Sequence, residues 1–144
     1  MSYDPNASRP MVANSTGTSS TNASGSTIAK AMPVKITADG ISLVDVSVEA
    51  DVDAFAGVTS SLIGDGLSGD VINSGLIQDV GFAFSAGDRV FVSTSGGVTN
   101  IKPDIGVNGF TAGDWVISLG VCAKNEGNPS LIDLIVFIEI RGQL

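Results

Sequence analysis

Fifteen acidic side chains against seven basic ones, no histidine and a single cysteine limit the chemistry open to this chain. Without histidine, a Ser-His-Asp or Cys-His triad and any His-ligated zinc site are excluded. One cysteine excludes cysteine-cluster metal sites and an intrachain disulfide. Cys122 lies in an apolar stretch and reads as a small buried hydrophobe rather than a reactive thiol. What remains is carboxylate chemistry. Glu49, Asp51 and Asp53 are spaced two apart, so on a continuing strand their charges would share one side, a row of oxygens of the kind Ca²⁺ takes. The EF-hand spacing, with its Gly and distal Glu, is absent, and the row reads as a solvated strand face. An acid pair for glycoside hydrolysis would have to come from Asp45, Glu49, Asp51, Asp53, Asp65 and Asp70, yet 6% aromatic content leaves few platforms for a sugar. Gly64-Asp65-Gly66 and Gly69-Asp70 form one imperfect copy of a Gly/Asp calcium repeat and read as turns. No glycine loop has phosphate-binding spacing. The chain is read as non-enzymatic, with no cofactor and no metal.

Net charge narrows the partners. At −8 with no basic cluster, the chain lacks what sequence-independent nucleic-acid binding requires, the neutralisation of phosphates. The longest apolar run, 131–140, is interrupted by Asp133 and Glu139 and falls short of the ~20 residues of a helical span, so no membrane partner is expected. The N-terminus shows neither a basic n-region nor an apolar h-region, and secretion by a signal peptide is not expected.

The elements that must position these groups fall into two regions. Residues 1–31 read as an extended arm. The run from Asn14 to Thr27 is small and polar, too poor in apolar surface to offset the entropy of ordering it, so it would become ordered only when another surface holds it. Its three N-x-S/T sequons, at Asn6, Asn14 and Asn22, read as compositional. Its anchor candidates are the larger side chains, Arg9, Met11, Val12, Ile28 and Met32.

Residues 32–144 read as a β-domain of about 110 residues, large enough to fold alone. A hairpin is expected from 33–37 through the Ala38-Asp39-Gly40 turn into 41–48, with Val44, Val46 and Val48 inward. Residues 54–62 admit a short helix capped by Asp53, and 80–84 read as a strand. Arg89 to Ser93 reads as a half-buried strand, Val90 and Val92 on one face, turning at Ser95-Gly96-Gly97 into a return strand that Pro103 ends. Two Ala-Gly-Asp openings, ending in Gly87-Asp88 and Gly113-Asp114, each precede a strand and read as turns. In the second of these strands the Trp115, Ile117, Leu119 and Val121 face is taken as the core side. In the last, Ile132, Leu134, Val136, Ile138 and Ile140 share a face, while Ile135 and Phe137 make the other face apolar too, so both must be covered. A partner subunit on Ile135 and Phe137 is one way to do that.

The runs AGDRVFVSTSGGVTNIKP, GDWVISLGVCAKN and NPSLIDLIVFIEIRGQL, within residues 75–144, resemble a C-terminal β-module of tailed-bacteriophage virion proteins, particularly head-decoration (cement) and fibre-type proteins. The resemblance implies a small antiparallel β-barrel or β-sandwich (β-tulip-like), commonly a homotrimer on the capsid exterior, with no catalysis. The expected partners are then the major capsid protein, through the arm, and other copies of the chain. A tail or fibre component with a receptor- or glycan-binding role is the alternative.

Overall fold

The computed structural model describes residues 16–144. Arg9, Met11, Val12 and the sequons at Asn6 and Asn14 lie outside the described residues. Of the described residues 47% are in strands and 4% in helix, so the fold is all-β, its antiparallel sheet curling into a half-barrel. Among the described residues the elements are β1 (Thr16–Thr21), β2 (Pro33–Thr37), β3 (Gly40–Leu43), α1 (Glu49–Asp53), β4 (Phe55–Thr59), β5 (Ser68–Ile77), β6 (Arg89–Val92), β7 (Val98–Thr99), β8 (Trp115–Lys124) and β9 (Ile132–Gln143). The sheet runs β3-β2-β4-β5-β9-β8-β6-β7, with β1 added on β5.

The long strand β5 joins two halves. Val71 pairs with Thr18 of β1 and with Thr59 of β4, so its first half is flanked on both edges, while Ser74 to Ile77 pairs with β9. After β1 the chain meets β3: Asn22 bridges to Ile41, and the Ala23 N–H donates to the Ile41 carbonyl at 2.9 Å. Strands β3, β2, β4, β5 and β1 thus close on one another, and closure removes free edges. A small core of Ile28, Val34, Ile41, Ile63 and Val71 fills this end. The rest of the sheet folds over a larger core that includes Val46, Val90, Ile117, Leu119, Leu134 and Val136.

Several expectations are corrected. From Thr16 onward the supposed arm is part of the domain, because a neighbouring strand satisfies the backbone of β1 while its small polar side chains stay exposed. Ile28 is 2% exposed, and its backbone exchanges two hydrogen bonds with Ile63 at 2.9 Å, so it is no anchor for an outside surface. Met32 is partly buried against the small core. The third sequon is closed as well: the buried Asn22 amide donates to the carbonyls of Ser26 and Ile63 at 2.7 and 2.9 Å, and its oxygen accepts from Ser24. The helix lies at Glu49–Asp53, not at 54–62, where β4 runs instead. β3 stops at Leu43, and Val48 points out. Residues 80–84 form no strand. Val80 donates to Ile132, and the Phe82 and Phe84 rings, 5.2 Å apart, reach the core from a loop.

Candidate interaction surface

The two Ala-Gly-Asp openings build one turn twice. In the first, the Asp88 carboxylate accepts the Ser85 N–H at 3.0 Å; in the second, Asp114 accepts that of Thr111 at 2.8 Å. Gly87 and Gly113 both sit at φ +94°, a left-handed conformation that costs glycine little. Each turn then grips a strand by two backbone bonds. Gly87 donates to the Cys122 carbonyl and Cys122 to that of Asp88, both at 2.8 Å; Gly113 donates to Leu144 at 2.8 Å and Leu144 to Asp114 at 2.9 Å. The turns therefore set the register in which β6 lies on β8 and β8 on β9.

On that frame β8 is narrow where its neighbours are broad. Its register breaks between Ser118 and Gly120, so Leu119 and Gly120 both turn inward and Val121 turns outward. This corrects the expectation of an unbroken Trp115-to-Val121 core face: Cys122, not Val121, joins Leu119 in the core. A Cβ on Gly120 would lie 1.9 Å from the Ile135 carbonyl oxygen, so only glycine lets β9 approach there. Over this low strand lie two arginines from its neighbours, running in opposite directions. Arg89 of β6 donates to the Ser118 hydroxyl at 3.0 Å and stacks 5.3 Å from the Phe137 ring of β9. Arg141 of β9 sits 5.6 Å from the Phe91 ring of β6 and pairs with Glu139 at 2.6 Å. Cation–π contacts of this kind are worth about 0.5–2 kcal/mol. Phe91 is 3% exposed as a result, so β6 is covered on both faces rather than half buried.

Beside the arginines runs an apolar row. Leu76, Ile135 and Val121 are cross-strand partners on β5, β9 and β8, and Ile135 and Phe137 stay 43% and 42% exposed while Leu134 and Val136 beneath are sealed. One face of β9 is thus packed by its own chain and the other is open. Ile140, expected inside, is exposed at the rim.

The acidic row does not form. Helix α1 turns Asp51 inward, where it pairs with Lys35 at 2.6 Å and accepts the Asp45 N–H at 3.0 Å, leaving Glu49 and Asp53 outside. Among the described residues no three His, Cys, Asp or Glu side chains are grouped to hold a metal ion. Asp65 and Asp70 stay in exposed turn and strand positions, Asp65 accepting the Gly25 N–H at 3.1 Å. Burial, then the nearby Asp88 charge, raises the Cys122 thiol to about 11, so it stays protonated. In the β6–β7 hairpin Gly96 takes φ +83° and Gly97 does not take a positive φ; the Gly97 carbonyl accepts the Ser93 N–H at 2.8 Å. The return strand ends at Thr99, whose hydroxyl accepts the Ile101 N–H, ahead of the buried Pro103.

No signal in the sequence identified the arginine straps. The small Ser118 between two aromatic-bearing strands was the available clue. Comparison with protein-family models, curated proteins and solved structures gave no match.

Proposed function

We propose that this chain is a non-enzymatic capsid decoration (cement) protein, a homotrimer on the exterior of a tailed-phage head that bridges neighbouring capsomers. The observation that carries the reading is the open apolar row Leu76, Ile135 and Val121 with Phe137, on a chain otherwise rich in exposed carboxylates. Contiguous apolar surface rimmed by polar groups is the usual mark of a protein–protein contact. The sequence resemblance to virion β-modules supplies the setting. Interfaces of ordinary size between a decorating oligomer and adjacent capsomers would hold those capsomers together, and attachment at several points would raise the apparent affinity. Arg9, Met11 and Val12 are the residues assigned to the major capsid protein; Ile28 is withdrawn from that role because it is buried.

The test is occupancy on purified capsids by cryo-electron microscopy. The intact chain is expected to saturate outer-surface sites, removal of residues 1–15 to lower occupancy sharply, and Phe137→Asp to lower it by weakening the oligomer. Absence of binding to capsids overturns the reading, and glycan binding without capsid affinity would replace it with the fibre role.

A further inference from the structure

We infer that copies of this chain meet head to tail, the arginine-strapped outer face of β6, β8 and β9 on one copy receiving the acidic shoulder around α1 on the next. The inference rests on the self-association part of the reading above, and not on the capsid or on the number of copies.

Charge is distributed unevenly over the described surface. Arg89 and Arg141 are the arginines of the described residues, and both lie on one face with Phe137 and Ile135 between and beside them. Glu139 pairs with Arg141, and Asp88, next to Arg89 in the chain, turns its carboxylate to Asn100 and the Ser85 N–H. With Arg89, Arg141 and Glu139 on it, that face carries two of the chain's seven basic groups against one paired acid, on a chain of net charge −8. Pairing it with itself across a two-fold axis would oppose like charges around an apolar centre. A head-to-tail contact instead joins it to a different patch.

The segment 45–53 offers the complementary patch. Val48 is 41% exposed, with the exposed acids Asp45, Glu49 and Asp53 in the same turn and helix. Lys35, the cation nearest this segment, is already held by Asp51. Asp45 is occupied by Ser47 and feels the Lys35 charge, so the shoulder presents exposed Val48 beside the carboxylates of Glu49 and Asp53, neither of them in an ion pair among the described residues. The strapped face presents apolar side chains beside two guanidinium groups, each with donors beyond the one it gives to Ser118 or Glu139, and guanidinium suits carboxylates through planar, paired donors. Opposite potentials on the two patches fix the partner and its register.

The test is sedimentation velocity and light scattering on the full chain at low and high salt. Wild type is expected to associate, less so at high salt. Glu49→Lys with Asp53→Lys is expected to weaken association by roughly tenfold or more, although it lowers the net negative charge and so relieves general repulsion between copies. Arg141→Glu should weaken it similarly, and the combined variant should restore it. Circular dichroism melts confirm that each variant folds; if Arg141→Glu does not, the exposed helix pair carries the test alone. Association untouched by the Glu49 and Asp53 changes overturns the head-to-tail contact while leaving self-association standing. A wild-type monomer at all concentrations overturns both, and capsid occupancy remains to be judged separately.

Discussion

Asp45 and Asp88 each hold a small loop by accepting hydrogen bonds, and this makes them the acid sensors of the fold. For Asp45 the Ser47 hydroxyl and then its N–H keep the carboxyl below the ordinary 3.8; for Asp88 the Asn100 amide and then the Ser85 N–H do the same. A carboxylate with a folded pKa below its unfolded one stabilises the fold above the unfolded value, and that contribution is lost as pH falls through the folded one. Thermal melts followed by circular dichroism should therefore show a decline below pH 3.8 that is shallower in the Asp45→Asn, Asp88→Asn double variant. Equal slopes in variant and parent would refute the assignment. The buried Asp133 also accepts hydrogen bonds, from the Asp79 N–H at 2.8 Å and the Asn125 amide at 3.0 Å. It ties the loop before β9 to the end of β5.

At the scale of elements the repeated Ser/Thr-Ala-Gly-Asp turn decides how β6, β8 and β9 align. Asp114 is 6% exposed, so Asp114→Ala leaves the Thr111 N–H poorly paired and should cost about 1–3 kcal/mol. Gly113→Ala meets open space but must adopt a left-handed φ, for a loss of about 1–2 kcal/mol. Asp88→Ala, at a less buried position, should cost less than Asp114→Ala, whereas Gly87→Ala, at the same φ and in equally open space, should cost about as much as Gly113→Ala. Urea denaturation of the four variants checks this, and equal losses for the two aspartate changes would show that burial of the Asp114 carboxylate adds nothing to its turn.

At the scale of the whole molecule, the closed end made by β1, β3 and the small core means that residues 16–31 belong to the folded unit. Removing residues 1–31 takes away β1 and Ile28, and the loss of a buried isoleucine alone is worth about 2–5 kcal/mol. That truncation is expected to unfold or to melt many degrees lower, whereas removal of residues 1–15 should leave the melting temperature unchanged. Coincident melts for the two truncations would show that ring closure through Asn22 and Ile41 contributes nothing.

The local grammar of the chain was readable directly. Alternating Val, Ile and Phe between Gly, Asp and Pro marked the hairpin of 33–48, of which the structure keeps 33–43, and β6, β8 and β9, and the Ala-Gly-Asp turns were recognisable because Gly and Asp there do what their backbones and side chains allow anywhere. The all-β class follows from that pattern. Other features depended on partners distant in sequence. Thr16–Thr21 is a strand only because β5 offers it a ladder, and Ile28 is a core residue only because Ile63 lies across from it. The reversal of β8 at Leu119 and Gly120 arises where its pairing with both β6 and β9 shifts register, and it turns Val121 outward, on the face that Arg89 and Arg141 cover. Periodicity reports which side chains share a face within one strand; which face is covered, and by what, is settled by strands folded in from elsewhere in the chain.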